Sequence, residues 1–238
     1  MNIALIGYGK MGHEIEAIAK ERGHTITLIV DKDNQHELNP TNLKAVDVAI
    51  EFSTPETAFE NIKICLLANI PVVSGTTGWL HKFDEAKQLA ESGHGALFYA
   101  SNFSIGVNLF FRLNRIMAQY INRVKGYEIA IEEIHHTQKK DAPSGTAITL
   151  AEIISNEVDM LAGWILEPDM AENKIPIKAI REGNVPGTHT VTLSSEQDEI
   201  TLTHRAKSRK GFALGAVLAA EFAAGKKGIL TMESLLQI

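Results

Sequence analysis

The hexapeptide Gly7-Tyr8-Gly9-Lys10-Met11-Gly12 limits the fold of this chain more than any other feature. It follows a short apolar run, Asn2 to Ile6, suited to a buried strand, and it opens a helical stretch that continues to about Arg22. A second strand pattern, Thr25 to Val30, ends at Asp31. Strand, glycine turn, helix, strand and terminal acid is the order of a dinucleotide-binding unit. Each part has a mechanical reason. Gly7 allows the tight turn, Gly9 lets backbone approach a pyrophosphate, and Gly12 lets helix and strand pack closely. Lys10 and Met11 lie in the same turn, where the helix N-terminus offers free N–H groups and a partial positive charge. A G-x-G-x-x-G alone is only a common turn, so the expectation rests on its neighbours being in register. Asp31 suits the ribose hydroxyls of NADH, whereas Lys32 beside it suits the 2′-phosphate of NADPH. Either cofactor is compatible, and dual use is expected.

The alternation continues. Val46 to Phe52, Pro71 to Ser74 and Ala96 to Ala100 read as strands, while Pro55 to Ala68 and His81 to Ser92 read as helices. Such alternation predicts a doubly wound α/β domain with a parallel sheet, whose ligands bind at the C-terminal strand ends. The polar loops at those ends are Phe52-Ser53-Thr54, Gly75-Thr76-Thr77 and Ala100-Ser101-Asn102-Phe103. The residues from 75 to 77 and from 100 to 103 are therefore candidate cofactor contacts.

The second half changes character. A helix is expected over Gly106–Val124, a strand over Tyr127–Ile134 and a helix over Ser144–Val158, whose apolar positions keep 3.6 spacing. Strands follow at Ile175–Arg181, Thr188–Ser194 and Ile200–His204, the last two joined as a hairpin. This is an α+β segment with an open mixed or antiparallel sheet. A final helix, Phe212–Ala224, is rich in Ala and Gly and is expected to return to the first domain. The expected division is 1–103 with 212–238 for the dinucleotide and 104–211 for substrate and oligomerisation.

A formal charge of -6 argues against a nucleic-acid partner, because phosphate contacts supply most of that affinity. The lone cysteine, Cys65, lies in an apolar run and reads as a buried, inert thiol. No apolar run reaches the roughly 18 residues of a membrane span, and no secretory pattern opens the chain. A soluble cytoplasmic protein is expected, without a metal, since the histidines show no zinc spacing.

Against that acidic background the loop from His135 to Thr146 is conspicuous. His135 and His136 exchange protons near neutral pH, and Lys139 carries a compact charge. Pro143 stiffens the approach to Ser144, Gly145 and Thr146, which open a helix and can seat an anion. Together these groups could bind a carboxylate and protonate an atom that becomes basic when a hydride arrives. His81, His94 and His189 read as surface or packing residues.

The segment His135-His136 through Lys139, followed by Asp141-Ala142-Pro143-Ser144-Gly145-Thr146-Ala147, resembles the dihydrodipicolinate reductase family. So do Gly75-Thr76-Thr77-Gly78, Ser101-Asn102-Phe103-Ser104, Arg181-Glu182-Gly183, Gly187-x-His189-Thr190-Val191 and His204-x-Ala206 through Ala216. These motifs span nearly the whole chain. The resemblance implies NADH- or NADPH-dependent reduction of a cyclic, unsaturated dicarboxylate imine in lysine and diaminopimelate biosynthesis. It implies that His135 is the general acid and that Lys139 supports proton transfer and binds substrate. It implies that His136, Ser144, Gly145 and Thr146 hold substrate carboxylates, and that the enzyme is a homotetramer. Three features depart from the family pattern: a glycine loop one residue shorter and lacking its Arg, Thr137-Gln138 where basic residues are frequent, and a short stretch between Asp31 and Val46. A related amino-acid dehydrogenase and a non-catalytic dinucleotide-binding module are the alternatives.

Overall fold

A computed structural model describes residues 1–124 and 126–237; Lys125 and Ile238 lie outside the described residues. The first run of elements is β1 (Asn2–Ile6), α1 (Lys10–Glu21), β2 (Thr25–Val30), α2 (Pro40–Leu43), β3 (Val48–Glu51), α3 (Pro55–Leu67), β4 (Val72–Ser74), α4 (Phe83–Glu91) and β5 (Ala96–Tyr99). Next come α5 (Ile105–Ile121), β6 (Glu128–His135), α6 (Gly145–Glu157), β7 (Trp164–Leu166), β8 (Ile175–Arg181), β9 (Thr188–Ser194) and β10 (Glu199–Arg205). The chain ends with α7 (Lys210–Ala223), β11 (Gly228–Leu230) and α8 (Met232–Leu236). It divides into two compact units, Met1–Ile105 with Lys210–Ile238, and Gly106–Arg209. Among the described residues no helix is long and apolar enough to cross a membrane.

The first unit is the expected parallel sheet, in the order β11-β5-β4-β3-β1-β2. Its strands are buried on both faces, and the pleat sorts their residues between two cores. Ile3, Leu5, Val48, Ile50, Val73 and Phe98 pack with α1 and α7. Ala4, Ile6, Ala49, Val72 and Leu97 pack with α3 and α4 on the other face. Cys65 belongs to that second core, where burial pushes its thiol far up. The strand order reverses direction between β1 and β3, and a crevice opens at such a switch point.

The second unit carries a five-stranded sheet, β10-β9-β6-β8-β7. β6 pairs antiparallel with β9 and parallel with β8, so the sheet is mixed. Ile129, Ile131, Ile177, Val191 and Leu193 face Leu150, Ala151 and Ile154 of α6. β6 includes His135, one residue beyond the expected strand end. Period two therefore puts Glu133 and His135 on the same buried face as Ile129 and Ile131.

Several elements are too short for the sequence pattern to reveal: a 3-10 turn at Gln35–Glu37, then α2, β7, β11 and α8. Local side chains hold two of them. The Asn39 side chain accepts from the N–H groups of Thr41 and Asn42 at the start of α2, and Thr231 and Ser234 form a capping box on α8.

α7 lies close against its core because its buried face is built from Ala213, Gly215, Ala216, Ala219, Ala220 and Ala223. A Cβ on Gly215 would sit 1.7 Å from the Phe103 carbonyl oxygen. In an open helix Gly to Ala gains about 0.8–1.0 kcal/mol. Here overpacking of about 1–3 kcal/mol opposes that gain. Gly215→Ala is therefore expected to lower the Tm, and a thermal scan showing an unchanged or raised Tm would refute the close approach.

Candidate functional site

In the first unit a cavity of about 680 Å3 opens at the switch point, lined by Gly7, Gly9, Asp31, Lys32, Phe52, Ser53 and Asn61 among others. Gly7 has φ +90°, and a Cβ on it would lie 2.1 Å from the Phe52 carbonyl oxygen. A Cβ on Gly12 would lie 2.6 Å from the Gly7 carbonyl oxygen. These two positions are closed to any other residue by the protein itself. A Cβ on Gly9 would meet nothing within 4 Å, so the open space there is left for a ligand. No side chain caps α1 at Gly9, and no acidic residue stands in its first turn. Lys10, Met11 and Gly12 thus present their N–H groups in a field that favours an anion. Asp31 and Lys32 are both exposed at the end of β2.

The rim loops are braced by a carboxylate that the sequence reading missed. Glu51, fully buried, accepts from Ser74 Oγ at 2.7 Å, Thr76 Oγ1 at 3.0 Å and the Ser53 N–H at 3.0 Å. The Ser53 hydroxyl also donates to it. Thr76 is therefore a buried brace, whereas Thr77 is exposed. A Cβ on Gly75 would strike the Phe52 ring at 2.2 Å. Ala100 and Asn102 are half-buried and Ser101 is exposed. The ring of Phe103 is committed to the core, with centroids 5.6 Å from Phe52 and 5.8 Å from Phe98. It is not displayed at the rim.

In the second unit the register of β6 assembles the His135 region. Glu133 lies directly opposite His189 on β9, and His135 opposite Arg181 on β8. All three strands turn these positions to one face. Glu133 has no exposed surface and His135 is 7% exposed. Arg181 Nη2 donates to Glu133 Oε1 at 2.9 Å, and the Ser144 N–H donates to the same oxygen at 3.1 Å. His135 Nδ1 stands 3.3 Å from Oε2 and His189 Nε2 stands 3.7 Å from it. Burial alone would raise the Glu133 carboxyl, but the adjacent His135 ring together with the Ser144 and Arg181 donors outweighs it and holds it at about 2. Burial, reinforced by the neighbouring His135, pushes His189 down to about 3, so that ring is neutral. Its Nε2 lies 3.1 Å from Ser144 Oγ. Of the two expectations for His189, surface or packing, burial at 4% exposure leaves packing, and it packs within this cluster.

The loop beyond His135 is tied to the same arginine. Arg181 donates from Nε to the Lys139 carbonyl at 3.3 Å and from Nη2 to the Asp141 carbonyl at 2.6 Å. The backbone N–H of His136 donates to the Val185 carbonyl at 2.8 Å, and that of Thr137 to the Gly183 carbonyl at 3.2 Å. Lys139 Nζ reaches both oxygens of Asp141 at 2.8 Å. That contact, followed by Arg181, lowers the Asp141 carboxyl. Ser144 caps α6, its hydroxyl accepting from the Ala147 N–H at 3.2 Å. Its amide and hydroxyl are thus engaged in the resting structure, while Gly145 is exposed and Thr146 half-buried. Glu133, His135 and His189 could each offer one atom to a metal, all within 4.8 Å of one another. Arg181 already balances the carboxylate, so a cation is not needed to account for the cluster.

The sequence reading missed Glu133, Arg181 and His189 as members of the site. One local signal was present: a glutamate at the core phase of the alternating run Ile129, Ile131, Glu133, His135. A carboxylate there requires a buried partner.

One unit thus carries an anion-favouring crevice, and the other carries a proton-exchanging, cation-rich loop. Residues 1–103 match the family description "Dihydrodipicolinate reductase, N-terminus", and residues 106–236 match "Dihydrodipicolinate reductase, C-terminus". A relative from Christiangramia forsetii, named 4-hydroxy-tetrahydrodipicolinate reductase, is 53% identical over 237 residues, covering 99% of this chain and 98% of its own. Another of the same name, from Lawsonia intracellularis, is 34% identical over 93% of both chains. The solved structure of a dipicolinate-bound dihydrodipicolinate reductase from Paenisporosarcina sp. TG-14 superposes with a TM-score of 0.81 at 25% identity, over 98% of each chain. With both halves matched in order and a relative alike from end to end, the chain belongs to the dihydrodipicolinate reductase family.

Proposed function

We propose that this chain reduces 4-hydroxy-tetrahydrodipicolinate to tetrahydrodipicolinate at the expense of NADH or NADPH, with loss of water. The proton-donor loop carries this reading: His135 is a buried imidazole at a strand end, and Lys139 is an ammonium four residues on, in a loop pinned by Arg181. The family assignment supplies the reaction class. Residues 1–103 with 212–238 form the dinucleotide part of this proposal, and 104–211 the substrate part.

The first unit's residues fit a dinucleotide. Gly7 and Gly12 shape the turn, Gly9 leaves space beside the uncapped start of α1, and Asp31 with Lys32 lines the same cavity, where their chemistry suits a ribose. Lys10, Met11, Gly75, Thr77, Ala100, Ser101 and Asn102 complete the proposed contacts, with Thr76 and Phe103 supporting them from behind. When bound, the nicotinamide supplies the hydride.

The chain's own residues supply charge and a proton. Lys139 exchanges Asp141 for a substrate carboxylate, an exchange of like for like. His136 and the N-terminal turn of α6 at Gly145 and Thr146 take the second carboxylate, with Ser144 holding that turn in place. His135 then protonates the ring atom that becomes basic as hydride arrives. By the family resemblance the protein is a cytoplasmic homotetramer.

The test is an assay of NADH and NADPH oxidation with freshly generated cyclic substrate. Lys139→Ala is expected to lower kcat by about 10²–10⁴-fold while leaving the Kd for NADH unchanged. Tight NADH binding without substrate-dependent oxidation would instead mark a non-catalytic module, and oxidation of aspartate a related dehydrogenase. In the same assay Lys32→Ala is expected to raise the KM for NADPH about tenfold, worth about 1.4 kcal/mol, with little change for NADH. An equal effect on both cofactors would remove Lys32 from 2′-phosphate recognition.

A further inference from the structure

No step above uses Glu133, a carboxylate with no exposed surface whose burial is costly wherever its oxygens lack partners. Its two oxygens have different surroundings. Oε1 is satisfied, taking Arg181 Nη2 at 2.9 Å and the Ser144 N–H at 3.1 Å. Among the described residues Oε2 has the two imidazoles near it, and neither makes an aligned hydrogen bond to it in the resting structure. His189 is the farther of the two, at 3.7 Å, and its Nε2 has Ser144 Oγ at 3.1 Å. His135 Nδ1, sealed from solvent at 3.3 Å, remains as the natural partner of Oε2.

The chemistry of the pair fixes a tautomer. An ionised carboxylate can only accept, so Nδ1 must carry the hydrogen for this contact to be favourable. Nε2 is then the position at which the ring gains and loses its working proton. Space exists beside it for one reason. Nε2 faces Gly187, where a Cβ would stand 3.0 Å from it, and Gly187 has none. Contacts of this kind are often long in a resting enzyme and tighten when the charge develops.

We propose that Glu133 is the positioning residue of the proton donor: its Oε2 accepts Nδ1–H of His135, turns Nε2 to the substrate and steadies the imidazolium before transfer. This rests on the reductase reading of His135. In the step, the Nε2–H bond breaks and the proton passes to the substrate atom made basic by hydride. Nδ1 keeps its hydrogen, Glu133 stays ionised, and solvent reprotonates Nε2 after release. The charged and titratable groups around the ring are Glu133 on β6, His189 on β9 with His204 opposite it on β10, Arg181 on β8, and the Lys139–Asp141 pair in the loop. Glu133 is the buried negative charge among them.

Glu133→Gln tests this. Its amide oxygen can still serve Arg181 and Ser144, which turns the amide N–H toward Nδ1 and favours the opposite tautomer. We expect kcat to fall by about 10²-fold or more, with NADH affinity unchanged. A general acid works protonated, so activity is lost as pH rises through its limb. Removing a neighbouring negative charge lets the proton leave earlier, and the alkaline limb of the kcat profile should move to lower pH. A purely structural role would lower kcat or Tm without moving that limb, and an unmoved limb overturns the proposal. Should the variant fail to fold, the wild-type protein decides the matter by 15N NMR of labelled histidines, with His135 assigned by its loss in His135→Gln. The neutral ring is expected to carry hydrogen on Nδ1; a ring protonated on Nε2 instead overturns the proposal. The NMR reading needs no substrate. A wild type that binds NADH but never oxidises it with the cyclic substrate would sink the reductase reading alone.

Discussion

An ionised carboxylate removed from water needs opposite charge and hydrogen bonds from several directions at once. Glu133 receives opposite charge and a hydrogen bond from β8 through Arg181 and another hydrogen bond from the start of α6 through Ser144, while imidazoles on β6 and β9 flank its second oxygen. The three strands and the helix must therefore meet in one relative arrangement. A register slip of one residue would send Glu133 and His135 to the opposite face of the sheet and strand the charge. The cluster thus has two effects from one cause: it selects the strand register, and it fixes the neighbours of the proposed acid.

Arg181 carries the constraint outward. The guanidinium that balances Glu133 also holds the carbonyls of Lys139 and Asp141. A loop rich in exposed polar residues, Thr137, Gln138, Lys140 and Asp141, is thereby tied to the sheet it leaves. Lysine could not replace this contact, because only the planar fork presents several donors at fixed angles. The cofactor unit repeats the device with different chemistry. Glu51 is also fully buried at a strand end, and there hydroxyls from Ser53, Ser74 and Thr76 satisfy it. In both units a buried carboxylate organises the loops at the working edge of the sheet.

Much of the first unit is legible in the sequence. The pleat of β1 and β3 sorts Ile3 and Leu5 from Ala4 and Ile6 between two cores, as expected of a strand buried on both faces. The elements that escaped notice, such as β7 and β11, have three residues each, too few for any period to show. Phe103 was expected beside a cofactor because of its motif. The Phe52 and Phe98 rings hold its side chain in the core, which leaves its backbone for a contact at the rim.

The sequence by itself determined the layered parallel sheet, the glycine turn and the identity of the proton-exchanging loop, because each is written in residues close along the chain. It could not show that Glu133 meets Arg181, 48 residues away, or that Ser144 meets His189, 45 residues away. Those meetings follow from which strands lie side by side and in what register, and local spacing carries no record of either. Only the tertiary structure decided that His189, to all appearance an ordinary packing residue, is a neutral ring beside the buried carboxylate. Burial in the assembled sheet, and not the residue's own chemistry, took its proton away.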